Sequence, residues 1–114
     1  MNKFLKSFGY ATKGLSTAMN GRNFKIQLIS AIAVISLSTF LKISRIEFAV
    51  VFLTIGFVLA TEMLNTAIEE ICNKFHPETH PHIALIKDVA AGAVLLSSII
   101  ALIVGMIIFV PRIF

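Results

Sequence analysis

The chain has 114 residues, of which 57% are hydrophobic and 14% charged, with a formal net charge of +4. Soluble domains run to roughly a quarter charged residues, so ten basic and six acidic side chains cannot coat a soluble globule that hides this much Ile, Leu, Val, Ala and Phe. The composition also excludes a disordered or collagen-like chain, and leaves a single domain whose solvent is the bilayer.

Residues 1–22 hold Phe4, Leu5, Phe8, Leu15 and Met19 near helical spacing, with Lys3, Lys6 and Lys13 between them. This pattern predicts an amphipathic helix lying in the membrane interface, with Gly9 and Gly14 as candidate breaks and Asn20-Gly21 as its end. The basic residues sit beside apolar runs, so they read as partners of membrane head groups and not of nucleic acid. No signal peptide is expected, since the first apolar run begins only at Phe24 and no small-x-small cleavage site follows it.

The run Ile26–Leu41 lies between Lys25 and Lys42 and covers only ~24 Å as a helix. It spans as residues 24–42 once Phe24 and the snorkelling stems of the flanking lysines extend it. The run Phe48–Thr61 is too short alone. Extended through Glu62 to Ile68 it becomes long enough, giving a second span over 47–72 and setting Glu62 roughly two turns inside the membrane. Residues 73–86 contain Pro77 and Pro81 and are expected to form a non-helical cytoplasmic loop. The third span, 87–110, rests on the uncharged run Val89–Pro111, which covers ~33 Å against a hydrocarbon core of ~30 Å. The expected fold is therefore an all-α membrane protein: three transmembrane helices preceded by an interfacial helix, in one domain over 1–114. Lys3, Lys6, Lys13, Arg22 and Lys25 precede the first span with no acid among them, which predicts a cytoplasmic N-terminus against the weaker pull of Lys42 and Arg45.

An ionisable residue within a span is a candidate functional site. At 100° per residue Glu62, Asn65, Glu69 and Asn73 fall within about 80° of one another, forming one polar stripe, with Glu70 beside it. Three chemistries fit such a stripe. It is interhelical hydrogen-bonding glue, a proton or ion path, or a catalytic pair in which one carboxylate is a general base and another holds a divalent cation. Lys87-Asp88 opens the third span, where a snorkelling lysine and an N-terminal aspartate are ordinary punctuation. The small residues Ala90, Ala91, Gly92 and Ala93 then permit close helix packing. His76, His80 and His82 lack the spacing and the cysteines of a zinc site and read as solvated loop residues. Gly9 and Gly14 bracket a sequence in which Leu15 stands where a Walker loop needs lysine. The lone Cys72 excludes an intrachain disulfide and reads as a small apolar filler.

Glu62-x-x-Asn65-Thr66-Ala67-x-Glu69, a Pro-containing loop, and Lys87-Asp88-Val89-Ala90-Ala91-Gly92-Ala93-Val94-Leu95 together closely resemble the small bacterial diacylglycerol kinase family, which includes the undecaprenol kinases. The upstream segments Phe8-Gly9-Tyr10-Ala11-x-Lys13-Gly14-Leu15 and Arg22-Asn23-Phe24-Lys25-Ile26 extend the resemblance to nearly the whole chain. The resemblance implies a homotrimer in the bacterial inner (cytoplasmic) membrane that phosphorylates a lipid hydroxyl with ATP and Mg²⁺, the substrate being diacylglycerol or undecaprenol. It further implies that Glu62 is the general base, that Asn65 orients the reacting groups, and that Glu69 binds the divalent metal that carries ATP. Lys87 and Asp88 would contact the nucleotide, as would Lys3, Tyr10 and the loop around Glu78, Thr79 and His80.

Two positions depart from the pattern. Many members carry an acid, a second metal ligand, where this chain has Gly21, and many carry Asp where it has Asn73. The expectation carried forward is an ATP-dependent lipid kinase. The alternative from another class is a non-catalytic membrane assembly or accessory protein in which Glu62, Asn65 and Glu69 serve as interhelical glue.

Overall fold

The computed structural model describes residues 2–75 and 80–114. The chain forms four α-helices: α1 Lys3–Met19, α2 Arg22–Phe40, α3 Arg45–Phe75 and α4 Pro81–Ile113. There is no strand among the described residues. α2, α3 and α4 are each long and apolar enough to cross a membrane, so the fold is the expected three-span, all-helical one.

α1 starts where Asn2 caps it, the Asn2 Oδ1 accepting the Leu5 N–H at 3.0 Å. It runs unbroken through both candidate breaks. Two isolated glycines cost about 1 kcal/mol each relative to alanine, which is too little to interrupt this helix. Phe4, Phe8 and Leu15 are exposed and only Ala18 is buried. Such apolar exposure suits a helix bedded in an interface. At its end the Gly21 N–H donates to the Ala18 carbonyl at 3.0 Å, and extended backbone at Gly21 turns the chain into α2.

The α2–α3 corner is built from side chains the sequence supplies in order. Lys42 adopts the left-handed region, φ 52°. The N–H of Ile43 bonds the Ser38 carbonyl at 3.3 Å and that of Lys42 bonds the Thr39 carbonyl at 3.2 Å, a Schellman motif closing α2. Ser44 and Glu47 then form a reciprocal capping box. The Ser44 N–H donates to Glu47 Oε1 at 2.9 Å and the Glu47 N–H to Ser44 Oγ at 3.1 Å. Ile43 is buried with Val51, Ile108 and Phe109, and Leu37, Leu41 and Phe48 pack against them. Arg112, in the last turn of α4, pairs with Glu47. The corner is thereby tied to the far end of the third span.

α4 packs most extensively on α3, and α2 lies against α3 on another side. Ser97 is almost fully buried on α4, and its Oγ lies 3.0 Å from Thr61 Oγ1 of α3. Each hydroxyl also bonds a carbonyl of its own helix, Val94 for Ser97 and Val58 for Thr61. Small side chains let the helices approach and the hydroxyl pair links them.

The expected loop over 73–86 is helical at both of its ends in the structure. α3 continues to Phe75, and α4 begins at Pro81. Proline at the first helical position lacks only an N–H that would be unpaired there anyway, and its φ is already helical. His80 caps this start, its Nδ1 accepting the His82 N–H at 3.1 Å. Lys87-Asp88 therefore stands on the second turn of α4 rather than at its beginning. At ~1.5 Å per residue α3 and α4 are ~46 and ~50 Å long, so both exceed a ~30 Å hydrocarbon core.

Candidate active site

The polar stripe of α3 exists as its spacing predicted, and it is graded in exposure. Glu62 is 4% exposed and Asn65 6%, whereas Glu69 and Glu70 are exposed. One turn separates Asn65 from Glu69, and the Asn65 Nδ2 donates to Glu69 Oε1 at 2.7 Å. The amide so holds one oxygen of an otherwise solvated carboxylate. Its own Oδ1 is buried and has no partner among the described residues.

Glu62 is gripped from two directions. The Gln27 Nε2 of α2 lies 3.5 Å from Glu62 Oε1, at the outer limit of a hydrogen bond. The Thr66 hydroxyl, bonded to the Glu62 carbonyl at 3.0 Å, also reaches Glu62 Oε2 at 3.4 Å. Glu62 follows directly on Thr61, whose hydroxyl joins α4. The carboxylate thus sits where all three spans are linked: Gln27 from α2, its own helix, and Ser97 through Thr61.

At the exposed end of the stripe the Lys87 Nζ of α4 donates to Asn73 Oδ1 of α3 at 2.8 Å. This bond places a cation two turns along α3 from Asn65, with exposed Asp88 beside it. The structure therefore brings Glu62, Asn65, Glu69 and Lys87 onto one side of the α3–α4 pair. Lys3 and Tyr10 are exposed on α1, which touches α2 and α3. Neither hydrogen-bonds to the stripe among the described residues. His80 serves as the cap of α4. Glu78, Thr79 and His76 lie outside the described residues.

A groove of about 240 Å³ runs between α2, α3 and α4 and is lined by Gln27, Val34, Val51, Val58 and Ala101, among others. Sequence reading passed over Gln27, an amide inside a run treated as simply apolar. Its signal was its type: an amide in an apolar span needs a partner.

Among the described residues no three His, Cys, Asp or Glu side chains converge to hold a metal ion. Mg²⁺ rarely needs such a cage. It is held by one or two carboxylates plus substrate phosphates and keeps several waters. An exposed Glu69, anchored at one oxygen by Asn65, fits a cation that arrives with a nucleotide. At Gly21, where the family resemblance leads one to expect an acid, a Cβ would stand 3.2 Å from the Ala18 carbonyl oxygen. That contact is tight, and it goes with the N–H bond that Gly21 makes to the same carbonyl.

Fold and site together define a small, multi-pass, all-helical membrane protein with a buried carboxylate–amide cluster between its spans. Residues 9–109 match the prokaryotic diacylglycerol kinase family. The chain belongs to that family. It is 39% identical to the undecaprenol kinase of Bacillus subtilis over 98% of this chain and 92% of that protein. It is 41% identical to the diacylglycerol kinase of Synechocystis over 94% of this chain, although it spans only 62% of that protein's length. With the diacylglycerol kinase of Escherichia coli the identity is 28%, over 89% of this chain and 84% of that protein.

Proposed function

We propose that this membrane lipid kinase transfers the γ-phosphoryl group of ATP to the hydroxyl of undecaprenol, with diacylglycerol as the second substrate to test. The order rests on the relatives: the match to an undecaprenol kinase runs nearly end to end in both chains. The observation that carries the chemistry is the buried Glu62 carboxylate in register with the Asn65–Glu69 pair.

In the proposed reaction Glu62 accepts the proton of the lipid hydroxyl. The freed oxygen bonds to the γ-phosphorus as the bond from that phosphorus to the β–γ bridging oxygen breaks, and ADP leaves. Phosphoryl transfer asks mainly for positioning and charge neutralisation. Asn65 supports the first by fixing Glu69 on the face of α3 that carries the base, about two turns away. Lys87 supplies a positive charge, and Asp88, Tyr10, Lys3 and residues 78–80 complete the nucleotide's surroundings. Mg²⁺ carried by Glu69 would neutralise phosphate charge when bound. The lipid stays in the bilayer while ATP reaches the water-exposed end of the stripe, which requires that end, and the N-terminus, to face the cytoplasm of a bacterial cell. A homotrimer is part of the proposal. It would supply neighbouring groups to Glu69 and Asp88, which a single chain leaves exposed.

The test is a radiolabelled-ATP assay of the purified protein in mixed micelles with Mg²⁺, offering undecaprenol and diacylglycerol separately. Label should enter undecaprenol, and Glu62→Gln should stop it. Label in diacylglycerol alone would reverse the substrate order. No label in either lipid from a folded oligomer would remove the kinase assignment for this chain.

A further inference from the structure

The assignment of Glu62 as base leaves open what aims it. Glu62 belongs to a helix whose own contribution, the Thr66 hydroxyl, is shared with a backbone carbonyl and reaches the carboxylate only at 3.4 Å. Among the described residues the single side chain from another helix that bonds it is Gln27.

Gln27 is an expensive residue for mere packing. Its Oε1 is shut away from solvent with no partner among the described residues, a cost that leucine or methionine of similar volume would avoid. Glutamine supplies two things that those residues do not: an N–H for the carboxylate, and a carbonyl left over. Gln27 also lines the groove between α2, α3 and α4, next to Val58 and Leu59, the residues that precede the base by four and three positions. One side chain therefore borders both an apolar groove at span depth and the buried carboxylate. Catalytic hydrogen bonds are often long without substrate and tighten when it binds, and the 3.5 Å separation is of that kind.

We propose that Gln27 is a positioning residue of the phosphotransfer site: its amide N–H holds the Glu62 carboxylate in place, and its free carbonyl receives the hydroxyl of the lipid alcohol on its way to that base. The inference rests on the reading of Glu62 as the base. The hydroxyl proton passes from a hydrogen bond with Gln27 Oε1 to Glu62, and the amide itself neither gains nor loses a proton. Nothing in this role touches ATP.

The test measures kcat and the KM values for lipid alcohol and for ATP separately, in Gln27→Leu, Gln27→His and Glu62→Gln. Gln27→Leu keeps the volume and loses both polar ends, so kcat should fall about tenfold or more, within the range of coupling between contacting residues. KM for the lipid alcohol should rise several-fold and KM for ATP should stay within twofold. Gln27→His keeps one donor and one acceptor and should restore most of the lost turnover. Gln27→Leu added to Glu62→Gln should lower the residual kcat no further, because the effect on turnover runs through the base, while KM for the lipid alcohol should still rise. Wild-type kinetics in Gln27→Leu, or equal losses in the Leu and His variants, would overturn the proposal while leaving Glu62 as base. Retained turnover in Glu62→Gln would overturn that assignment and this one with it.

Discussion

Replacing Glu62 by leucine separates catalysis from architecture. A carboxylate within a spanning helix costs about 3 kcal/mol on insertion scales, and less toward the span's ends. Against that, the folded chain gains only two long contacts through it, 3.5 Å from Gln27 and 3.4 Å from Thr66. Glu62→Leu leaves the Thr66 hydroxyl bonded to the main chain at 3.0 Å, so Thr66 loses little. The Gln27 N–H loses its acceptor, a penalty of about 1–3 kcal/mol that the poor starting geometry places at the low end. The balance is a stability unchanged or raised, by about 0 to 2 kcal/mol. Turnover should nonetheless fall by about 10²- to 10⁴-fold, the usual worth of a positioned general base. Cys72, buried on α3, reports unfolding directly: its maleimide labelling is followed as sodium dodecyl sulfate is titrated into the micelles, beside the ATP assay. If Glu62 were interhelical glue, the variant would lose about 1–2 kcal/mol and turnover would drop only with the folded fraction. That pair of results would refute the reasoning.

Three further perturbations test other parts of the structure. Asn65→Leu releases Glu69 from its 2.7 Å bond; because Glu69 is solvated, thermal stability should hardly move while kcat falls and the Mg²⁺ concentration for half-maximal rate rises, read by metal titration. Lys87→Met keeps an apolar stem but removes the cation, and KM for ATP should rise about tenfold, the worth of one charged hydrogen bond; Asn73→Ala, which frees Lys87 without discharging it, should raise it less, and equal effects would refute a direct role for the charge. Lys42→Gly relieves a left-handed residue and should raise the unfolding free energy in detergent by about 1 kcal/mol, read as a higher midpoint, whereas Lys42→Val should lower it.

What could be read along the chain was whatever repeats with a single period. The spans follow from apolar runs, and the stripe follows from 100° per residue, so Glu62, Asn65 and Glu69 were found together before any fold was known. Contacts between helices were not readable in that way. Gln27 and Glu62 are 35 residues apart and Thr61 and Ser97 are 36 apart. No spacing on one helix reveals such a meeting. The cap of α3 is legible as Ser44-x-x-Glu47, the spacing of a capping box. Pro81 alone does not tell a loop from a helix start, because proline both ends and begins helices, and what precedes it, His80, decides which. The two candidate breaks in α1 show the converse, since an isolated glycine weakens a helix without stopping it.

The α2–α3 corner acts as a ruler. Gln27 stands as far before the corner as Glu62 stands after it, 35 residues apart with the midpoint between Ser44 and Arg45. Two antiparallel helices leaving a fixed bend meet at equal contour lengths, so the bend sets which residues face each other many turns away. One residue inserted in α3 between Ser44 and Glu62 would swing the carboxylate by about 100° and slide it ~1.5 Å. The same insertion in α2 would move Gln27 instead. A stretch of sequence remote from the chemistry is thus held to a fixed length by it, and only a compensating change on the opposite arm would restore the alignment.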